Sequence, residues 1–257
     1  MKTIGILYVG IGKYIKLWDD FYTSCEQKFC CNCQKSYFVV TDSYLTPQPN
    51  VTVIPQDDLG WPGNVVFRYL FFLRIKEQLT HFDYLFFFNG NTRFREAITE
   101  AEFLPTEAEG GLIALSWHTA DEDPDLFGFE RREHSVAYIP FGTPGLYLQS
   151  GITGGLTKPY LQLLETCHQM TMEDFNKGII PVAHDETIYN KYMLGRPYRL
   201  LDSTYGRPSQ RDKKHTAKII FLRKEKVLGR NWLRHYKGRK HTNTWFRKLL
   251  CKLGLVK

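Results

Sequence analysis

Two amide side chains, Asn89 and Asn91, follow directly after an apolar run that ends at Phe88. A run this apolar is typical of a central strand in a parallel sheet, and such sheets bind ligands beyond the carboxyl ends of their strands. Amides are neutral and are poorer ligands than carboxylates for hard divalent cations. If this is a ligand site, we expect it to work without a metal. Asn-Gly is also a strong hairpin signal, so a hairpin turn at Asn89-Gly90 is the alternative interpretation.

A second group of reactive side chains, His184, Asp185 and Glu186, stands at the start of a predicted helix. Carboxylates in the first turn interact favourably with the helix dipole, and Asp185 or a neighbour could cap the helix. That structural role accounts for the pattern by itself. The functional interpretation is that Glu186 acts on a sugar, because a carboxylate stabilises the cationic, oxocarbenium-like state of glycosyl transfer.

Two further segments suit a phosphorylated ligand. Residues 151–155 are glycine-rich, which predicts either a plain turn or a close approach of the backbone to a ligand. Lys224 and Arg230 lie in a basic region, so they belong either to a solvated face or to a pair of cations that close over a diphosphate. The sequence has no G-x-G-x-x-G and no P-loop, which disfavours a dinucleotide-binding fold or an NTPase.

The net charge of +7 conceals a strong asymmetry along the 257 residues. Residues 211–257 hold 16 Lys and Arg against 2 Asp and Glu, a balance of +14, whereas residues 1–210 hold 18 against 25, a balance of −7. A basic region of this kind attracts the phosphates of a nucleotide, a membrane or a nucleic acid. A nucleic-acid binder is the weaker interpretation, because the rest of the chain is acidic and carries no recognised nucleic-acid motif.

The sequence predicts neither a secretory signal nor a membrane span. The apolar stretch at residues 4–9 is too short for a signal peptide, and the apolar segment at residues 65–79 is too short and too charged to cross a bilayer. Cys25, Cys30, Cys31 and Cys33 lie close together but lack paired C-x-x-C spacing, so we predict no structural metal.

Strands and helices alternate along the chain. Strands are predicted at residues 3–11, 37–41, 51–54, 82–88 and 112–115, and helices at 18–29, 65–79, 158–171 and from about 185, with Asn64 as an N-cap. This alternation predicts an α/β fold with a doubly wound, Rossmann-like, mostly parallel sheet and flanking helices. Residues 10–12 and 89–91 both fall at the carboxyl ends of predicted strands, so we expect them to line one crevice.

The order of these motifs resembles glycosyltransferase family 6, the family of the ABO blood-group transferases and α-1,3-galactosyltransferase. The resemblance covers about residues 2–231 and rests on Thr3-Ile4-Gly5, Lys13-Tyr14-Ile15, Phe38-Val39-Val40-Thr41-Asp42, Asp83-Tyr84-Leu85 before Asn89-Gly90-Asn91, Glu130-Arg131-Arg132, Ala137-Tyr138-Ile139-Pro140, Gly154-Gly155, and His184-Asp185-Glu186-Thr187 with Asn190-Lys191-Tyr192. It implies a domain of GT-A fold at residues 1–231, followed by a basic tail at residues 232–257.

The resemblance also implies roles for individual residues, with Glu186 as the catalytic carboxylate. The residues implied in nucleotide binding are Val9, Gly10, Ile11, Tyr14, Asn89, Gly90, Asn91, Lys224 and Arg230. Those implied around the donor sugar and the acceptor are Arg68, Trp117, His118, Gln149, Ser150, Gly151, Gly154, His184 and Asp185. Because Gly151 has no side chain, we expect it to leave space beside C2 of the sugar, where Gln149 could hydrogen-bond an N-acetyl group.

The resemblance implies a retaining α-1,3-glycosyltransferase that uses UDP-N-acetylgalactosamine and a galactose-containing acceptor, with α-1,2-fucosylated galactose as one candidate. The alternatives are UDP-galactose as donor and an inactive sugar-binding relative. Vertebrate members carry Asp-x-Asp where this chain has Asn89 and Asn91. The resemblance is therefore to bacterial members, and no divalent metal or other cofactor is expected. Ala183 stands where vertebrate members have tryptophan, so acceptor contacts do not carry over.

Residues 244–257 carry apolar side chains at helical spacing among Lys and Arg. This pattern predicts an amphipathic helix that either packs on the protein's own core or lies on an anionic membrane. Because the sequence predicts neither a secretory signal nor a membrane span, we expect a cytoplasmic protein. We also expect it to bind no nucleic acid. Peripheral contact with the inner membrane face is an alternative, and the acceptor is expected to be an oligosaccharide or a glycolipid.

Overall fold

A computed structural model of the chain describes residues 1–116, 118 and 122–238. Within them the strands are β1 (Thr3–Val9), β2 (Gln34–Thr41), β3 (Val51–Pro55), β4 (Tyr84–Phe88), β5 (Thr92–Phe94), β6 (Leu112–Leu115), β7 (Ile152–Leu156), β8 (Arg199–Leu201), β9 (Tyr205–Pro208) and β10 (Ile219–Phe221). The helices are α1 (Trp18–Lys28), α2 (Gly63–Val66), α3 (Arg68–Leu73), α4 (Lys76–Leu79), α5 (Glu100–Phe103), α6 (Thr157–Asn176), α7 (Asp185–Met193), α8 (Lys224–Leu228) and α9 (Arg230–Gly238). Short 3-10 helices span Gly12–Leu17, Glu107–Glu109 and Pro124–Leu126.

A seven-stranded sheet of order β3-β2-β1-β4-β7-β6-β8 forms the centre, beside a small sheet of order β5-β10-β9. β1 runs parallel to β2 and β4, and β2 runs parallel to β3. β7 is antiparallel to its two neighbours, β4 and β6. This mostly parallel sheet with flanking helices confirms the predicted α/β fold of GT-A type. Leu7 of β1 pairs with Phe87 of β4, so Val9 and Asn89 come side by side where the two strands end.

The predicted helix over residues 65–79 is broken into α2, α3 and α4. The breaks fall at Phe67 and Ile75, whose ψ angles of 13° and 19° depart from helical values. Both side chains are buried in the core, so tertiary packing of bulky apolar residues overrides the local helical pattern. Asn64 lies inside α2 rather than at its N-cap, and its side-chain oxygen accepts from the Leu59 N–H at 3.0 Å.

The hairpin interpretation of Asn89-Gly90 is wrong. β4 pairs with β1 and β7, whereas β5 pairs with β10. The chain therefore leaves the large sheet after Phe88 and enters the small sheet at Thr92. Asn89, Gly90 and Asn91 form the crossing between the two sheets, and we call residues 89–91 the crossing segment below.

An aromatic cluster fills the core between α1, α5 and the two sheets. Phe29 is fully buried at its centre. Its ring centroid lies 4.9 to 5.9 Å from those of Phe86, Phe88, Phe94 and Phe103. Aromatic pairs at these separations add about 0.5–1.5 kcal/mol each beyond the burial of their surface. This cluster fixes the position of β4 and β5, and with them the crossing segment.

The last described helix, α9, packs against the rest of the described chain. Leu233 and Tyr236 of α9 are buried, so the predicted domain boundary after residue 231 falls within a packed helix. The amphipathic helix predicted for residues 244–257 lies outside the described residues and stays a prediction. None of the described helices is long and apolar enough to cross a membrane.

We predict that Phe29→Ala lowers the free energy of unfolding by about 3–5 kcal/mol, the usual effect of emptying a buried phenylalanine site. Urea unfolding followed by circular dichroism measures this change. Tyr44→Ala is the control, because Tyr44 is 85% exposed and its loss should change stability little. Equal stability of the two variants would show that the aromatic cluster does not dominate the core.

Candidate active site

A cavity of about 250 Å³ opens where β1 and β4 end. The Tyr8 hydroxyl donates to Gly90 O at 3.1 Å, which ties the crossing segment to β1. The residues that the sequence predicts for the site and that line this cavity are Val9, Ile11, Tyr14, Arg68, Asn89, Gly90, Ser150, His184, Asp185, Glu186 and Lys224. The fold therefore brings segments from the whole chain to one concave site, as a ligand pocket requires.

Glu186, the second residue of α7, faces this cavity. The Tyr147 hydroxyl donates to its Oε1 at 2.7 Å, and the Ser150 N–H donates to its Oε2 at 2.8 Å. Burial raises the pKa of Glu186, and the neighbouring Asp185 charge raises it further. The two hydrogen bonds lower the pKa, because they stabilise the charged form. The carboxylate is thus held in one orientation at the cavity wall.

Asp185 and Arg68 form a buried ion pair beside Glu186. Their Oδ2 and Nη2 atoms are 2.5 Å apart, although the contact lacks hydrogen-bond angles, and the residues are 4% and 5% exposed. Burial raises the pKa of Asp185, and the positive charge of Arg68 opposes that rise. Arg68 Nη1 also donates to Ser150 O at 3.2 Å. The ion pair therefore positions the same serine whose N–H binds Glu186.

His184 holds an unusual backbone conformation at the entrance to α7, with φ of +58° and ψ of −123°. It is the N-cap residue of the helix and makes no side-chain cap bond. The preceding Ala183 N–H instead donates to Thr187 Oγ1 at 3.0 Å. The His184 ring meets the Trp61 ring at a centroid distance of 5.2 Å, and both line the cavity. Strained backbone of this kind persists where the surroundings fix it, often at functional sites.

The two amides of the crossing segment behave differently. Asn89 lines the cavity, whereas Asn91 is 6% exposed and does not. Asn91 Nδ2 donates to Leu222 O at 2.7 Å, and the Leu222 N–H donates to Asn91 O at 2.7 Å. The buried Oδ1 of Asn91 has no hydrogen-bond partner among the described residues, but Asn91 does not line the cavity. Both residues offer only neutral amide oxygens, whereas a divalent metal prefers charged ones. These residues do not fit a metal, and we assign no step to one.

The glycine-rich segment is packed rather than open. A β carbon on Gly151 would stand 2.7 Å from Gln149 Oε1 and 2.8 Å from Asn89 Nδ2. The expectation that Gly151 leaves space beside the sugar is therefore wrong, because these side chains already fill it. Gln149 Oε1 accepts from the Gly151 N–H at 2.7 Å, while its buried Nε2 has no hydrogen-bond partner among the described residues. Gly154 lies within β7, where a β carbon would stand 2.4 Å from Leu85 O, so it serves the sheet.

Lys224, the first residue of α8, brings a cation to the cavity. Its Nζ lies 5.5 Å from the centroid of the Tyr14 ring. Burial, followed by the like charge of Lys237, lowers the pKa of Lys224 to about 8. A lysine in this state gains from an anionic ligand that stabilises its charged form. Arg230, on α9, is exposed and does not line the cavity.

Two other predicted residues, Gly10 and His118, do not line the cavity. Gly10 lies behind it, where a β carbon would stand 2.8 Å from the Tyr8 ring. His118 lies beside the ring of Tyr147, with centroids 6.1 Å apart. Trp117 lies outside the described residues.

Sequence reasoning missed residues that the fold brings to the site from elsewhere. They are Trp61, Asn64, Val65, Phe87, Tyr147, Tyr236 and Lys237. The Tyr236 hydroxyl accepts from Asn64 Nδ2 at 2.7 Å and donates to Asp58 Oδ1 at 3.2 Å, which holds α9 against the loop before α2. No local pattern marks such contacts. Tyr147 could have been predicted as a site residue, because it lies two positions before Gln149, which the family resemblance singles out.

The chain is similar to known glycosyltransferases. The model of glycosyltransferase family 6 matches residues 68–234. The chain is 33% identical to the O-antigen biosynthesis glycosyltransferase WbnI of Escherichia coli, over 87% of this chain and 95% of that protein. It is 28% identical to histo-blood group ABO system transferase 2 of Rattus norvegicus, over 79% of this chain and 63% of that protein. It is 27% identical to globoside alpha-1,3-N-acetylgalactosaminyltransferase 1 of Gallus gallus, over 90% of this chain and 68% of that protein.

The lowered pKa of Lys224 predicts pH-dependent binding of UDP. As the pH falls below 8, the lysine becomes fully charged in the free protein, so its contribution to UDP affinity should level off. Above pH 8 the free protein must take up a proton to present the cation, so affinity should fall as pH rises. Titration calorimetry in buffers of different ionisation enthalpy measures both the affinity and the proton uptake.

Lys224→Gln should bind UDP roughly tenfold or more weakly at pH 7, the scale of one charged hydrogen bond, and should remove this pH dependence. Lys226→Gln is the matched control, because Lys226 lies on the same helix and is exposed. Unchanged proton uptake in Lys224→Gln would show that another group titrates.

Proposed function

Because this chain belongs to glycosyltransferase family 6, we propose that it moves N-acetylgalactosamine from UDP to a galactose-containing acceptor, forming an α-1,3 bond with retention and without a divalent metal. Its family makes it a glycosyltransferase that takes a nucleotide-sugar donor and a glycan acceptor. The observation that carries the finer proposal is the shared cavity of Glu186 and Lys224. When a sugar–phosphate bond breaks, the sugar becomes cationic and the phosphate gains negative charge, and these two groups match those charges.

Glu186 supplies the negative charge on the sugar side. Retention needs either a covalent glycosyl-enzyme or an ion pair shielded on one face, and both place a carboxylate below the anomeric carbon. In the covalent route the carboxylate forms a bond to that carbon as the UDP oxygen leaves with the bonding electrons. The hydrogen bonds from Tyr147 and Ser150 keep the carboxylate oriented for either route.

Lys224 supplies the positive charge on the leaving-group side. With amides at positions 89 and 91, the charge that develops on UDP falls to the lysine and to N–H donors at the cavity wall. Asn89 and Gly90 line the cavity. The Asn89 backbone N–H donates to Gly151 O at 2.7 Å, so the candidates for those donors are the Asn89 side-chain amide and the Gly90 N–H. This division of charge supports transfer without a metal.

Gln149 is the residue that favours N-acetylgalactosamine as the donor. Its buried Nε2 lacks an acceptor among the described residues, and an unpaired buried donor is costly. Gln149 adjoins Ser150, which lines the cavity. The carbonyl of an N-acetyl group would supply the missing acceptor, whereas the hydroxyl of galactose is shorter. The Gallus gallus relative is named for the same sugar.

The acceptor is proposed from the relatives. Their names concern O-antigen biosynthesis, a histo-blood group system and globoside. We therefore propose an oligosaccharide or glycolipid that contains galactose, with α-1,2-fucosylated galactose as one candidate. UDP-galactose as donor and an inactive sugar-binding relative remain the alternatives. A cytoplasmic location stays a prediction. Membrane contact through residues 244–257 also stays a prediction, because those residues lie outside the described part of the chain.

A donor screen by UDP release, with and without EDTA, tests the proposal. We expect turnover to be faster with UDP-N-acetylgalactosamine than with UDP-galactose and to survive EDTA. Gln149→Leu should shift the ratio towards galactose by about 1–3 kcal/mol, typical of one altered pocket contact. Faster turnover of UDP-galactose would refute the donor assignment. Loss of activity in EDTA that manganese restores would refute metal independence.

Glu186→Gln tests the catalytic assignment. The amide keeps the size of the side chain but loses its charge, so we expect turnover to fall at least ~10³-fold, on the scale of a lost catalytic nucleophile. Binding of UDP should persist, which calorimetry checks. Near-normal turnover in this variant would remove Glu186 from the mechanism and favour a different carboxylate.

A further inference from the structure

Asn190 joins α7 to the strand-like segment that holds Glu186. Its Oδ1 accepts from the Leu148 N–H at 2.8 Å, and its Nδ2 donates to Leu148 O at 2.7 Å and to Glu186 O at 2.8 Å. The side chain is 4% exposed, and these contacts use its oxygen and both of its N–H groups. An asparagine four residues after Glu186 lies on the same face of the helix. The amide therefore pairs with a neighbouring backbone as a strand would.

Leu148 lies between two residues that hydrogen-bond the Glu186 carboxylate. Tyr147, immediately before it, donates its hydroxyl to Glu186 Oε1, and Ser150, two residues after it, donates its N–H to Glu186 Oε2. On its other side the segment is held by β6, where the Gln149 N–H donates to Leu115 O at 2.9 Å. Asn190 thus sets how closely residues 147–150 approach the helix that carries the carboxylate.

We propose that Asn190 is a positioning residue for transfer, acting through Tyr147 and Ser150 on the orientation of the Glu186 carboxylate. The proposal rests on the proposed role of Glu186. Without the asparagine amide, the segment keeps its bonds to β6 but loses the two hydrogen bonds that tie the Leu148 backbone to α7, so its bonds to the Glu186 carboxylate alone must hold it there. The hydrogen bonds to Glu186 then lengthen, and a small displacement of a reacting group slows a reaction strongly.

The experiment compares Asn190→Ala and Asn190→Leu, since leucine keeps the volume and branching of asparagine without its hydrogen bonds. We expect kcat to fall roughly 10- to 100-fold, as for a displaced catalytic group, while UDP affinity stays near that of the natural chain. Tyr189→Phe is the matched control, because Tyr189 lies on the same helix and its hydroxyl donates to Ile113 O, away from Glu186. It should lose some stability and keep its kcat.

The pH profile of kcat separates positioning from mere stability. Burial raises the pKa of Glu186, the bonds from Tyr147 and Ser150 lower it, and the charge of Asp185, itself paired with Arg68, raises it. Weakening the two bonds raises the pKa, so the acid limb of the profile should move to higher pH in both Asn190 variants and stay in place in Tyr189→Phe. Tyr147→Phe should also lower kcat less in an Asn190→Ala background than alone.

The outcomes are distinct. If Glu186→Gln is slow but both Asn190 variants keep a normal kcat and an unmoved acid limb, the positioning role of Asn190 is overturned and the role of Glu186 stands. A normal Glu186→Gln would overturn the role of Glu186 itself. If neither Asn190 variant folds and binds UDP, Asn190 serves the fold, and the proposal is likewise overturned.

Discussion

The partial removal of the Glu186 carboxylate from water is the constraint on which the site depends. Burial raises the free energy of the charged form, so the protein must stabilise that form in other ways. The Tyr147 hydroxyl and the Ser150 N–H do so directly. The first turn of α7 adds the favourable end of a helix dipole. These groups come from separate segments, so the charge is stable only while α7 and residues 147–150 keep their relative positions.

The neighbouring Asp185 makes that constraint more severe, because it places a second carboxylate beside the first. Arg68 offsets its charge from within the core. A buried ion pair contributes little net stability, because both charges lose their hydration. Its value here lies in geometry, since Arg68 also donates to Ser150 O and Tyr69 donates its hydroxyl to Asp185 O at 3.0 Å. The pair therefore fixes both the start of α7 and the serine that faces Glu186.

The elements that carry this site could be predicted from the sequence because their signals are local. The apolar run that ends at Phe88 predicts β4, and a helix is predicted from about residue 185, where α7 begins. The resemblance implies Glu186 as the catalytic carboxylate. Side-chain direction could not be predicted in the same way. Asn91 turns to Leu222, and Gly151 is enclosed by Gln149 and Asn89, because segments distant in the chain meet there. Such contacts depend on tertiary packing, which periodicity does not describe.

The amide at position 91 links the crossing segment to the chain that leads into α8. A carboxylate there could not donate a hydrogen bond to Leu222 O, whereas the amide does so through Nδ2. Its pairing with Leu222 fixes the backbone two residues before Lys224. The fold thereby places the positive charge of Lys224 at the cavity. Because that lysine is only weakly basic when the cavity holds no anion, the charge of the site and the binding of a diphosphate stabilise each other.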